Sequence, residues 1–152
     1  MQDETAKSLS DFGLLLIRLM LGVVFMFHGG QKLFGWFGGG GMAKMVEFLG
    51  SMNVPAPNVS AALAAGTEFF GGLLVLVGLL TRLAAIPMVF NMVVAVLLVH
   101  RQAFSAQNNG MEYPLTLAVV LAGLGLIGPG RLSLDGLFFG CCKPSRTPEL
   151  PH

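Results

Sequence analysis

Charge is one thing this chain has little of. Only 11% of its 152 residues are Asp, Glu, Lys or Arg, against roughly 25% in an ordinary soluble domain. A soluble protein of this size needs polar surface to cover its core, so the missing solvent is lipid. Nine basic and eight acidic residues leave a formal net charge of +1. That gives no electrostatic case for nucleic acid, which requires a basic face. Cysteine is scarcer still, with two residues. Cys141 and Cys142 are adjacent near the end of the chain, so they cannot staple a bundle. They have neither zinc-site spacing nor a C-x-x-C arrangement, and read as two reduced thiols in a tail. The first apolar run is not expected to be a cleavable leader. The residues before the first apolar run include Asp3, Glu4, Lys7 and Asp11, and no A-x-A site follows it, so that run reads as a retained span. The glycine run at 38–41 lacks the Gly-Lys-Ser/Thr ending of a phosphate loop. His28 and Glu68 have no third or fourth ligand to make a metal site. No Ser–His–Asp set is in view.

What is there is apolar, 54% of the chain. A membrane-spanning helix needs about 20 such residues. Residues 13–33, 59–80, 83–99 and 113–127 fit, which predicts an all-α membrane protein: a four-helix transmembrane bundle. Ser10 or Asp11 is the expected cap of the first helix, and Asn58 or Ser60 that of the second. Pro55-Ala56-Pro57 breaks the chain before the second helix. Thr81-Arg82 is the expected turn to the third, and Gly128-Pro129-Gly130 ends the fourth. Residues 42–52 read as a short interfacial helix in the first loop. Met42, Met45, Val46 and Leu49 share one face, while Lys44 and Glu47 turn away. Trp36 and Phe37 sit where interfacial aromatics belong. The chain thus divides into a polar N-terminal segment (1–12), the transmembrane domain (13–140) and a Pro-rich tail expected to be disordered (141–152). Lys7, Arg82, Arg131, Lys143 and Arg146 fall on one side of the membrane, and Lys32, Lys44 and Arg101 on the other. The richer side holds both termini and is expected to be cytoplasmic.

Ionisable groups inside spans are costly and mark functional sites by default. Glu68 is the strongest such signal, near the middle of the second helix. Ala61, Ala64, Gly71 and Gly72 share its face. Small residues let membrane helices approach closely, so Glu68 should point into the bundle. With a rise of 1.5 Å per residue, Glu68 lies about 18 Å from the cytoplasmic end, His28 about 22 Å, Asn91 about 12 Å and Arg18 about 8 Å. A buried polar cluster of Glu68, Arg18, His28 and Asn91 is expected. Lys32, near a helix end, is expected to snorkel outward, and His100 to sit at the interface. A purely structural reading has Arg18 neutralising Glu68 and fixing helix register without chemistry.

The sequence resembles the DoxX family of small bacterial membrane proteins. The resemblance rests on Arg18, Gly22 and Phe25, then the block His28-Gly29-Gly30-Gln31-Lys32-Leu33-Phe34-Gly35. Glu68 follows, with Gly71-Gly72 and the run to Gly78-Leu79-Leu80-Thr81-Arg82. Ala95, His100, Glu112-Tyr113-Pro114-Leu115 and the segment from Gly128 to Asp135 complete it. It implies a four-helix bundle in the bacterial inner membrane. Members are linked by association to quinone-coupled oxidation and labelled oxidoreductases. It marks Arg18, His28, Lys32, Glu68, His100, Glu112, Arg131 and Asp135 as family-typical polar residues. No cysteine pair lies within the spans to support a dithiol relay.

Two functions follow as expectations. In the first, the bundle is a quinone-linked redox component acting with a redox partner protein. A quinone ring suits an apolar cleft with a few donors. Glu68 and His28 are the catalytic candidates, Glu68 exchanging the proton that accompanies reduction. Arg18, Lys32, Asn91 and His100 are the ligand-binding candidates. In the second, the protein is a non-catalytic membrane subunit, an assembly factor or a small-molecule carrier. Four helices are few for a transporter monomer, so that reading calls for a homo-oligomer.

Overall fold

The computed structural model describes residues 2–139. The described residues form six α-helices, α1 (Gln2–Leu33), α2 (Gly41–Ser51), α3 (Pro57–Val77), α4 (Thr81–Leu98), α5 (Glu112–Ile127) and α6 (Leu134–Phe139), and two short 3-10 turns at Trp36–Gly38 and Ala106–Asn108. No strand occurs among the described residues. α1, α3 and α4 are long and apolar enough to cross a membrane, and α5 is a shorter apolar helix of 16 residues. The protein is an all-α membrane bundle.

Its burial pattern is inverted relative to a soluble protein. The fully buried side chains include Arg18 and Thr81, while Leu126 is 82% exposed and Phe90 69% exposed. Leucine, isoleucine and phenylalanine turn outward along all four helices. Only a lipid solvent makes that arrangement favourable. Inside, Leu21, Phe25, Val75, Met88, Leu121 and Leu124 form the apolar core.

α1 and α3 lie antiparallel at close approach, and small residues make this possible. A Cβ on Gly22 would stand 2.6 Å from Leu76 Cβ, and one on Gly72 would stand 2.9 Å from Met26 N. Gly29 faces the backbone of Phe69 in the same way. Gly71, on the neighbouring face of α3, receives Met88 of α4. The small stripe beside Glu68 therefore faces inward, as the sequence predicts.

Several boundaries differ from expectation. α1 begins at Gln2, so most of the polar segment belongs to the first helix. Ser10 and Asp11 cap nothing there: Ser10 Oγ donates to Ala6 O inside the helix, and Asp11 Oδ1 accepts from Arg131 N at 2.8 Å. α3 starts with Pro57 after a left-handed Ala56, rather than with a cap from Asn58 or Ser60; Ser60 Oγ donates back to Pro55 O. Pro57 suits that position because the first helical N–H has no partner within the helix. α3 stops at Val77, where left-handed Gly78 (φ 71°) lets Gly78 N and Leu79 N close on Val75 O and Leu74 O. The turn to α4 is thus residues 78–80, and Thr81 already begins α4. α4 continues unbroken past Pro87.

The two ends of the bundle are closed differently. At the end near the N-terminus, the 128–135 segment locks onto the α3–α4 turn. Asp135 N donates to Gly78 O, and the Asp135 carboxylate accepts from Leu80 N at 2.8 Å and Thr81 N at 3.1 Å. At the other end, α2 lies over the ends of α1 and α3. Leu49 is buried, Met42, Met45 and Val46 are half-buried, and Lys44 and Glu47 are exposed, which is the expected division of that helix. Trp36, Phe34 and Phe69 pack together beside it. The expected disorder of 141–152, and the thiols of Cys141 and Cys142, lie outside the described residues.

Candidate functional site

The polar groups of the spans collect toward the α2 end of the bundle. Glu68 sits on the inward face of α3 and is 2% exposed. Lys32, in the last turn of α1, donates to Glu68 Oε1 at 2.5 Å. Asn91 of α4 donates through Nδ2 to the same oxygen at 3.2 Å and to Ala64 O at 3.3 Å. Asn91 thus ties α4 to α3 beside the carboxylate. Glu68 Oε2 is buried and has no hydrogen-bond partner among the described residues.

A cavity of about 300 Å³ adjoins this node between α1, α4 and α5. Its polar walls are Lys32, Glu68, His28, His100 and Tyr113, and its apolar walls include Phe25, Met92 and Leu117. His28 Nε2 and the Tyr113 hydroxyl are 3.2 Å apart in hydrogen-bond contact across the α1–α5 gap. His100, in the loop after α4, holds Asn109 O through Nδ1 at 2.7 Å. That contact folds the loop back over the cavity edge.

Arg18 is not part of this cluster, which corrects the expected pairing with Glu68. It lies at the opposite end, 2% exposed, and donates to Pro129 O at 2.8 Å and Leu132 O at 2.7 Å. Lys32 takes the place assigned to Arg18, instead of snorkelling outward. One geometric fact explains both. Side chains on a helix lean toward its N-terminus. On α1 that direction carries Arg18 away from the middle of the membrane, and carries Lys32 into it. Glu68 on antiparallel α3 leans toward Lys32 by the same rule. Arg18 therefore satisfies backbone carbonyls that the Gly128-Pro129-Gly130 break leaves without helical partners.

Tyr113 is the wall residue that sequence reasoning passed over, having treated it as the start of a helix. Its signal was available: it is the one tyrosine of the chain, with a polar handle on an aromatic body, at the same membrane end as His28. Among the described residues, no group of three or more His, Cys, Asp or Glu stands close enough to hold a metal ion.

An inverted-burial helical bundle with a Glu–Lys ion pair inside it and a small cavity near one end defines a polytopic membrane protein. The DoxX family profile matches residues 13–101, and the chain belongs to that family. It is 31% identical over 129 residues to the putative oxidoreductase CatD of Bacillus subtilis, covering 85% of this chain and 89% of CatD. It is 33% identical over 134 residues to the membrane protein Rv3486 of Mycobacterium tuberculosis, covering 80% of this chain and 78% of the relative. It is 30% identical over 132 residues to the inner membrane protein YqjF of Escherichia coli, covering 86% and 95%. No solved structure matches the chain significantly.

Proposed function

We propose that this protein is a quinone-linked redox component of the bacterial inner membrane, with both termini cytoplasmic and a partner protein supplying or taking the electrons. The observation that carries the reading is the cavity of about 300 Å³, apolar except for Lys32, Glu68, His28, His100 and Tyr113. This is near the lower end of ligand-pocket volumes, about 300–1,000 Å³, and suits a single ring rather than a dinucleotide. A quinone offers two carbonyl acceptors. Lys32 has three N–H donors and directs one at Glu68. The His28–Tyr113 pair provides a second donor on the α1–α5 side.

Reduction of the quinone to the quinol takes two electrons and two protons. The electrons belong to the partner. Proton exchange falls to this chain's own groups, Glu68 with Lys32 at one carbonyl and Tyr113 with His28 at the other. Lys32 and Tyr113 are both partly exposed, so each pair can exchange its proton with the surroundings between turnovers. The name of CatD as an oxidoreductase and that of YqjF as an inner membrane protein agree with this reading.

The test is to purify the protein in mild detergent, extract bound quinones, and titrate lipid nanodiscs with a short-tailed quinone. Wild type should carry quinone near one per chain. Glu68→Gln should lose it with its circular dichroism unchanged. A wild type that neither retains nor binds quinone would overturn the reading and leave a subunit, assembly or carrier role.

A further inference from the structure

The cavity has a neighbour, and the neighbour has another. Lys32, Glu68, Ala95 and His100 line both the first cavity and a second of about 210 Å³ that lies beneath α2. Met45, Phe48 and Leu49 of α2 roof this second space. The second space in turn shares Leu49, Ala64, Asn91, Val94 and Leu98 with a groove of about 370 Å³ between α3 and α4. The far walls of that groove are Leu63, 67% exposed, and Phe90, 69% exposed. Both turn toward lipid. Three spaces, each sharing wall residues with the next, therefore lie between the polar node and the hydrocarbon flank of the bundle, the middle one under the interfacial helix.

We propose that this path is a lateral binding channel for the isoprenoid tail of the quinone, which enters from the membrane between α3 and α4. The assignment rests on the quinone reading above and extends it to the other half of the ligand. The chemistry changes along the path in the sense an amphiphile needs. The inner end carries an acid, an ammonium, two imidazoles and a phenol, while the groove is walled mainly by Leu, Val, Phe and Pro87, with Ser60, Thr67 and Asn91 as its polar residues. A water-soluble substrate has no use for an apolar passage that opens into lipid. Apolar burial of a tail supplies affinity in proportion to the area removed from its surroundings, and shape fit sets which tails are accepted. α2 covers the junction of the two outer spaces through Leu49, which touches both.

The test uses the full-length protein in nanodiscs with three probes sharing one head group: a tailless quinone, one with a single isoprene unit, and one with three or more. Two variants block the path without touching the head-group site. Val94→Phe fills the neck, since Val94 lines both outer spaces. Leu63→Trp fills the mouth from a lipid-exposed position that the bundle does not need for packing. Comparing variant with wild type at each tail length cancels partitioning of the tail into lipid. The expected result is a loss of affinity of about tenfold or more for the long-tailed probe, with the tailless probe held to within about twofold. Equal effects on all three probes, or no effect on any, would overturn the channel while leaving the quinone reading intact. Copurified phospholipid that Leu63→Trp displaces, with no dependence on quinone tail length, would also overturn it. Failure of every probe to bind wild type would remove the quinone reading itself, and the channel with it.

Discussion

Replacing Lys32 with Met tests the central node most directly. Glu68 is nearly fully buried, its Oε2 has no partner among the described residues, and its Oε1 accepts from Lys32 and Asn91. Lys32→Met leaves the carboxylate with one neutral donor at 3.2 Å. Breaking a fully buried pair by removing one partner costs about 3–5 kcal/mol. The Lys32 side chain is 32% exposed, so water reaches part of the pair, and the expected cost falls to about 2–3 kcal/mol. Glu68→Gln should cost less, about 1–2 kcal/mol, because the amide oxygen still accepts and the orphaned ammonium can turn toward water. The double variant should be more stable than the sum of the two losses predicts, by about 1–2 kcal/mol, as contacting residues couple. The assay is reversible unfolding in mixed detergent and dodecyl sulfate micelles, followed by circular dichroism and by Trp36 fluorescence. Losses that add to within about 0.5 kcal/mol would show that the two groups do not depend on one another and would refute the node as described.

Three further outcomes follow from the geometry. Gly29→Ala should destabilise the bundle by about 3 kcal/mol, at the upper end of overpacking costs, because the new Cβ would stand 2.5 Å from Phe69 N. Gly66→Ala, with nothing within 4 Å, is the control and should gain up to about 1 kcal/mol from helix propensity; similar unfolding midpoints for the two would refute close α1–α3 contact. Asp135→Ala should cost about 1–2 kcal/mol, the value of a helix cap, since it strips acceptors from Leu80 N and Thr81 N. Asp135→Asn should recover part of that loss, and full stability of the Ala variant in the same denaturation assay would remove Asp135 as the lock on the α3–α4 turn. Tyr113→Phe should leave stability within about 1 kcal/mol, because the ring is 44% exposed. It should weaken quinone binding several-fold in nanodisc titrations, and unchanged affinity would take Tyr113 out of the site.

The spans are legible in the sequence because apolar length alone decides them, and the inward face of α3 is legible because small residues at helical spacing have one use in lipid. Asn91 beside Glu68 follows from the same counting. The partner of Glu68 is harder to read, because depth along an axis is an incomplete coordinate. Depth counted from Leu80 starts three positions beyond the true end of α3 at Val77. The larger error is one of direction. Arg18 and Lys32 flank Glu68 in depth on the same helix, and charge alone favours neither. The tilt of Cα–Cβ toward the helix N-terminus breaks that symmetry. It turns the lysine nearest the interface inward and the arginine nearer the chain start outward, against the usual habit of lysines at span ends. Snorkelling describes a side chain whose lean already points to water, and Lys32 stands at the C-terminal end of α1, where the lean points to the core. The same rule puts Arg18 against Pro129 O and Leu132 O, so the two cations serve different ends of the bundle: one closes the terminal face, and the other stands at the cavity.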